Sequence, residues 1–551
     1  MDTNPKRPVD ARTFRAKLEG KSGKQYWRSL EELADTPEFR EYLFDEIPQH
    51  TRSFDILNMD RRRFLTLAGA SLALAGLSGC RWLPAKKVVP AAEQSEDRTV
   101  SVPNIYATSV VEHGLATGVL VTSNEGRPTR IEGNTLHPAS LGGNSSTIQA
   151  TLLDLYDPER SQNVSEVNEG AFTISTWSAF LDTMRNALTA TKDGTGFRIL
   201  TETVTSPTLT HQIKALLAKY PAAKWVQYEP LGRDNVLNGA KAAFGQPVNT
   251  LYDFSKADTI LSLDADFLLS MPGHIRYSRD FAVKRRIRTE EISAEDPKKL
   301  TMSRLYMVES CPSITGTMAD HRLPMRASQI EAFARAVAGA LGVNVGAAAA
   351  PTSVPKDWMD ALVADLKASN GTSIVVAGEH QPPAVHVLCH LINAILGNVG
   401  KTVNYTDAVE SQPVDQLASL QQLADEMKTN DTVKILLILG GNPVYTAPVD
   451  LDFARRVQTT RLTAHLSMQE DETSAACKWH LPAAHSLESW GDARAFDGTT
   501  SILQPLIAPL YEGAHSDLEL LVALTDPMPS SYDVVYGYWK DQKPAPDFEK
   551  W

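Results

Sequence analysis

The sequence predicts a multidomain α/β protein in which a small antiparallel β unit precedes mostly parallel sheets. Three observations carry this prediction. The apolar runs FRILTE, KWVQYE, TILSLDA, SIVVAG and VKILLILGG have strand length and the continuous apolar character of strands covered on both faces. Helical stretches such as TWSAFLDTMRNAL and SPTLTHQIKALLAKY alternate with them, and strand–helix alternation is the pattern of parallel sheets. Ahead of these, YATSV, GVLVTSNEG and PTRIEGN are short segments separated by Gly and Pro turns, as in a small antiparallel sheet.

Taken in order, residues 1–58 form a leader extension. Within YWRSLEELADTPEFREYLFDEIP, the apolar Leu30, Leu33, Phe39, Leu43 and Phe44 predict short amphipathic helices broken at Pro37 and Pro48. Residues 59–80, MDRRRFLTLAGASLALAGLSGC, have a basic start, an apolar run and a small-residue end, the anatomy of an export signal. Arg61, Arg62, Arg63, Phe64 and Leu65 give the core of a twin-arginine signal. The run from Leu65 to Leu77 is shorter than the roughly 20 residues of a spanning helix, and Cys80 closes a lipobox-like LSGC as the lipidation site. Residues 81–100 read as a linker. The small β domain is assigned to 101–165, one α/β domain to 166–350, a second to 351–530 and a C-terminal segment to 531–551. Residues 336–355, AVAGALGVNVGAAAAPTSVP, are the clearest loop by composition, and no internal repeat is evident.

At 551 residues the chain is too long for one ordinary domain. A hydrophobic content of 42% with 22% charged residues argues against both a disordered chain and a multi-span membrane protein. The net charge of -12 disfavours nucleic acid as a partner. The four cysteines, Cys80, Cys311, Cys389 and Cys477, include no C-x2-C or C-x3-C pair, so no local zinc or iron-sulfur site can be built from them. The last three are expected to be buried, inert thiols. No G-x-S-x-G elbow or cysteine-protease signature supports a hydrolase.

Three loops invite a chemical reading. In VKILLILGGNPVYTAP a buried strand runs into Gly440, Gly441, Asn442 and Pro443, with a helix expected from about Asp450. Such a turn can bring backbone N–H groups to a phosphate, although most turns of this composition are simply turns. His480, His485, Glu488 and Asp492 are close enough in sequence to suggest a metal site. Pro482 interrupts any helix between the histidines and no H-E-x-x-H spacing occurs, so the sequence favours a hydrogen-bonded structural loop. Asp264, Asp266 and His274 fall at a predicted strand end, where α/β ligands often sit, and Lys284, Arg285 and Arg286 read as a solvated or partner-facing edge.

Many segments in order carry a family resemblance: EGRPTRIEGN with HPAS, LYDPERSQ, YDFSKADTILSLDADFL, TGTMADHRLP, GEHQPPAVH, NAILGNVGKTV, GGNPVYTAP and CKWHLPAAHSLESWGDARAFDGT. Together they resemble the molybdopterin oxidoreductase-like subunit of alternative complex III, a bacterial respiratory quinol:electron acceptor oxidoreductase. SLEELADTP and the displaced twin-arginine signal share the likeness. The resemblance implies a molybdopterin oxidoreductase-like multidomain fold. It also implies a periplasmic position on the bacterial inner membrane, reached by the twin-arginine route and held by a lipid anchor or by the complex.

In catalytic members of the wider superfamily three cysteines precede the EGN turn and a fourth follows the His-Pro. Here residues 101–130 hold no cysteine, the fourth position falls at Ser145, and the basic residue two positions on falls at about Thr147. A hydroxyl does not routinely replace a thiolate at a cluster. The resemblance therefore implies a lost cluster ligand at Ser145, a vestigial pterin loop at Gly440–Pro443, no resident cofactor and no catalysis by this chain alone. It implies a scaffold whose partners are an iron-sulfur ferredoxin-like subunit or domain, a multihaem cytochrome c and integral-membrane quinol-binding subunits. Two alternatives stand beside it: an active enzyme carrying molybdopterin guanine dinucleotide with molybdenum or tungsten, for which Cys311 is the tempting metal ligand, and an independent periplasmic lipoprotein binding a small ligand. Such subunits usually continue into a further barrel and a cysteine-rich module, so an end at DFEKW predicts a split gene or a fragment.

Overall fold

The computed structural model describes residues 102–286, 302–346, 350–429 and 432–542, with isolated positions at 16, 18–20, 36 and 548. The signal at 59–80, with Arg61, Arg62, Phe64, Leu65 and Cys80, lies outside the described residues, as do the linker and nearly all of the leader. The chain divides into two units, 1–95 and 96–551, and the second carries the fold that follows.

It begins with an antiparallel sheet of β1 (Asn104–Glu112), β2 (Leu115–Asn124) and β3 (Arg127–Gly133). Alternation along β2 buries Val119 and Val121 on one face, where the helix Ser146–Leu155 covers them with Ile148 and Leu155, while Ala116 packs with Ala493 and Leu503.

The remaining strands are β4 (Ser165–Asn168), β5 (Ala171–Ile174), β6 (Phe197–Thr201), β7 (Lys224–Gln227), β8 (Val248–Tyr252), β9 (Thr259–Leu263), β10 (Arg304–Glu309), β11 (His321–Pro324), β12 (Ser373–Ala377), β13 (Val403–Asp407), β14 (Ile435–Leu439), β15 (Leu462–Ser467), β16 (Trp479–Pro482), β17 (Gly491–Arg494) and β18 (Thr500–Leu503). Seven of them form a sheet in the order β5-β4-β16-β15-β14-β6-β7, parallel from β16 to β7 with β4 and β5 antiparallel at one edge. Four form an all-parallel sheet in the order β11-β10-β9-β12. Two antiparallel pairs, β8 with β13 and β17 with β18, complete the sheets among the described residues.

The most apolar strands of the two large sheets are those covered on both faces. All five residues of β6, β9, β12 and β14 are buried. Each buried Leu, Ile or Val there contributes about 1.5–3 kcal/mol relative to exposure. The helices that cover them are amphipathic. Trp177–Thr191 buries Phe180, Leu181, Met184 and Leu188 at helical spacing, and Thr176 caps it by accepting from the Ala179 N–H at 3.2 Å. Pro207–Lys219 has Ser206 as its cap and proline in its first turn.

Two sequence expectations need correction. The α/β boundary at 350 does not follow the strand pairing: β6 and β7 share a sheet with β14–β16, Ile199 pairing with Leu437, whereas β12 pairs with β9 through Val375 and Leu261. The four-stranded sheet is inserted between the two halves of the seven-stranded one. Local apolar patterning marks a buried strand but not its distant partner, so it could not place this insertion. The proposed loop at 336–355 also begins inside a helix, Ala327–Ala340, because Val337 and Ala338 continue its buried face.

Candidate functional site

The C-terminal ends of both parallel sheets carry acidic residues one to three positions beyond the strands. Glu202 follows β6, Glu229 follows β7, Asp264 and Asp266 follow β9, and Glu379 follows β12. Ligands of open α/β sheets bind at this edge. Two cavities open there, one of about 890 Å³ lined by Glu229, Arg233, Asp264, Glu379 and Glu410, the other of about 700 Å³ lined by Glu202, Gly440, Gly441, Asp471 and Asp492.

The glycine turn lies in the second cavity. Gly440 and Gly441 have φ of +71° and +65°, a conformation that L side chains rarely adopt. A Cβ on Gly441 would stand 3.0 Å from Glu202 Cγ, and one on Gly440 would stand 3.2 Å from Glu202 Oε2, so the turn packs against a carboxyl group. That group is accessible along the cavity wall but largely enclosed by protein. Burial, reinforced by Glu229 and opposed by His113, pushes it up to about 7. The expected helix from Asp450 is replaced by a four-residue helix, Pro443–Thr446, a 3-10 turn, Val449–Leu451, and the helix Phe453–Thr459. Pro448 and the left-handed Asp452 (φ +47°) interrupt any longer helix. Asn442 is engaged by its neighbours: its Nδ2 donates to Glu472 at 2.7 Å and its Oδ1 accepts from Thr473 at 2.7 Å. His465 donates through Nε2 to the Gly441 carbonyl at 3.0 Å.

Other helix N-termini at this edge are likewise held by the chain's own carboxylates. Asp492 accepts from the Thr208 N–H at 3.2 Å, from the Ser206 and Thr208 hydroxyls and from Trp539 at 2.8 Å, which fills the start of Pro207–Lys219. Asp234 accepts from the Gln416 and Leu417 N–H groups at 2.9 and 3.0 Å, at the start of Gln416–Glu426. These are the positions where helix dipoles would otherwise favour a phosphate.

In the first cavity, Arg233 donates to Glu379 and Glu410, both at 2.9 Å. His113 Nδ1 lies 3.2 Å from Glu229, and that hydrogen bond raises the imidazole, burial opposing it. Asp264, at φ +57°, accepts from Ser310 N–H and His380 at 3.0 and 2.9 Å. Burial works to raise this carboxyl, but the hydrogen bonds from His380 and Ser310 outweigh it and hold it low. Asp266 accepts from Thr315 N–H at 3.0 Å, and His274 Nδ1 pairs with the Met271 carbonyl at 3.1 Å, so these three residues line one cavity, each with at least one polar atom engaged.

The remaining candidates separate into different networks. Glu488 forms a two-pronged pair with Arg160 at 3.0 and 2.7 Å and also accepts from His485 and Leu510 N–H groups, with the side chains of both ion-pair partners at most 1% exposed. His485 Nε2 meets the Thr151 carbonyl at 3.0 Å. Burial pushes His480 down to about 4, and its Nδ1 is hydrogen-bonded to the Ser474 hydroxyl at 2.9 Å. With Asp492 at the helix start, the four residues do not converge, and among the described residues no group of three His, Cys, Asp or Glu is placed to hold a metal ion. Ser145 caps the helix Ser146–Leu155, accepting from Ile148 N–H at 3.0 Å and pairing with the Thr147 hydroxyl at 2.8 Å. Lys284 and Arg285, expected on a solvated or partner-facing edge, pair with Asp258 at 2.9 Å and Asp320 at 2.6 Å. Cys389 and Cys477 are buried, but Cys311 is exposed in the first cavity because it lies just past the end of β10, correcting the expectation of three buried thiols.

No family model matches the chain. It is 24% identical over 501 residues to the menaquinone reductase, molybdopterin-binding-like subunit of Nitratidesulfovibrio vulgaris, covering 82% of this chain and 70% of that one. It superimposes on acetylene hydratase from Pelobacter acetylenicus with a TM-score of 0.53 and 12% identity, over 76% of this chain and 68% of the other. The fold is molybdopterin oxidoreductase-like. That fold implies a pterin dinucleotide with molybdenum or tungsten, and the residues at the sheet edges do not fit it. Carboxylates stand at the strand ends, Glu202 backs the glycine turn, and Asp492 occupies the start of the helix after β6. A diphosphate cradle is built from N–H donors and basic side chains, whereas acidic groups line this edge.

Sequence reasoning missed Glu202, Glu229, Arg233, Glu379 and Glu410. A signal was present for three of them, since Glu202, Glu229 and Glu379 each follow an apolar strand by one or two residues, as Asp264 does.

Proposed function

We propose that this chain is a non-catalytic, molybdopterin oxidoreductase-like scaffold subunit of a membrane-bound respiratory quinone complex of the alternative complex III type. It docks an iron-sulfur subunit or domain, a multihaem cytochrome c and the integral-membrane subunits that bind the quinol. The observation that supports this reading is the acidic edge: carboxyl groups follow the parallel strands, Glu202 packs behind the glycine turn, and Asp492 holds the start of the helix after β6. The similarity to a protein named as a molybdopterin-binding-like subunit of a menaquinone reductase supports membership of a multisubunit membrane complex. We further propose export by the twin-arginine segment and anchoring through a lipid on Cys80. Purification of the native protein in mild detergent tests the role. A scaffold co-purifies with haem and iron-sulfur subunits in fixed ratio, whereas recovery of the chain alone contradicts it.

A further inference from the structure

The 890 Å³ cavity contains buried acceptors that the chain does not satisfy. Glu229 Oε2, Glu410 Oε2 and Gln416 Oε1 are buried without a hydrogen-bond partner, and all three residues line this cavity. Their residues are 7%, 7% and 4% exposed. Each is held at its other end: Glu229 Oε1 by His113 at 3.2 Å, Glu410 Oε1 by Arg233 at 2.9 Å, and Gln416 Nε2 by Thr203 at 2.9 Å. They are therefore fixed acceptors rather than free side chains. Leaving such a group bare costs about 1–3 kcal/mol, more when it is charged, so a donor is needed.

The charge balance specifies the donor. Six carboxylates line the cavity, from Glu112, Glu229, Asp264, Asp266, Glu379 and Glu410, against one guanidinium, Arg233, and three imidazoles, with no lysine. Arg233 is already committed to Glu379 and Glu410. A neutral donor would leave the excess negative charge uncompensated. A metal ion needs converging ligands, and no group of three candidates converges among the described residues. An organic cation suits the arrangement because its N–H donors are spread over several ångströms. The rest of the lining is apolar, including Leu115, Met271, Ile275 and Phe496, and Leu231 and Ile314 are 75% and 50% exposed.

We propose that this cavity binds an organic cation, with an amidinium, guanidinium or alkylammonium head among Glu229, Glu410 and Gln416 and an apolar body against Leu231, Ile314 and Phe496. The inference is independent of the scaffold role. The same chemistry is offered by a free small molecule or by a basic side chain of a partner subunit.

The test is calorimetric titration of the purified full chain with benzamidine, and with benzamide as the uncharged isostere, at pH 8 and low salt. Benzamidine is expected to bind one per chain, at least about tenfold more tightly than benzamide, and to lose about tenfold in both Glu229→Gln and Glu410→Gln. Leu231→Trp, at an exposed position, narrows the cavity without touching the acidic network and should also weaken binding, so the result does not depend on either acidic variant folding. Equal affinity for the two probes, or benzamidine binding unchanged in all three variants, overturns the proposal. Repeating the titration on the native complex separates the sources. Retained binding identifies a free cation as the ligand, and binding seen only with the isolated chain identifies a partner's basic side chain.

Discussion

Replacing Glu202 by Gln should stabilise the protein at pH 8 and do so much less at pH 5. Burial lifts this carboxyl from 4.5 to about 7, with Glu229 adding and His113 opposing. Because the folded value lies above the unfolded one, the stabilisation present below pH 4.5 is lost as pH rises through about 7. At about 1.36 kcal/mol per pH unit the full cost of ionising it would be about 3 kcal/mol. More than a third of the residue is accessible within the cavity, and water screening there reduces the cost to about 1–1.5 kcal/mol. The uncharged amide introduced by Glu202→Gln avoids the cost while keeping the contact with the glycine turn. Urea unfolding of both proteins at pH 5 and pH 8 should show a midpoint gain for the variant that grows by about 1 kcal/mol between the two. An equal effect at both pH values, or a loss at pH 8, would refute the view that a carboxylate is held under electrostatic strain behind the turn.

Further outcomes follow from other contacts. Glu488→Ala leaves Arg160 buried and unpaired and should cost about 3–5 kcal/mol in urea unfolding, with the pair replaced by Met and Leu costing less; a single-variant loss below about 1 kcal/mol would contradict the buried pair. Ser145→Ala removes the cap of Ser146–Leu155 and should cost about 1 kcal/mol, which a thermal unfolding series checks. A maleimide should modify Cys311 in the native chain but reach Cys389 and Cys477 only on unfolding, since burial pushes both of those thiols up to about 12. Cys80→Ser should abolish labelling by a radioactive fatty acid, and persistent labelling would disprove the anchor.

The elements themselves were legible in the sequence wherever burial is two-sided. FRILT, TILSL, SIVVA and ILLIL all become fully buried strands, and the amphipathic stretches around Phe180 and Ile213 become helices. Their assembly was not legible, because the pairing of Ile199 with Leu437 depends on backbone hydrogen bonds that leave no trace in local periodicity. The glycine turn could be located but not interpreted. Its neighbour Glu202 is remote in sequence, so the carboxyl group that packs behind the turn emerges only from the fold. Glu488 and Asp492 were recognisable as parts of a hydrogen-bonded loop. Their partners, Arg160 and Thr208, lie far away in the chain and emerge only from the fold.

The central claim is that this chain keeps the fold without the cofactor, and metal analysis tests it most directly. Molybdenum, tungsten and iron should be quantified in the purified native complex and again in this subunit after separation. The account predicts iron in the complex and no stoichiometric metal in the subunit. About one molybdenum or tungsten per chain would contradict it and make the chain an enzyme.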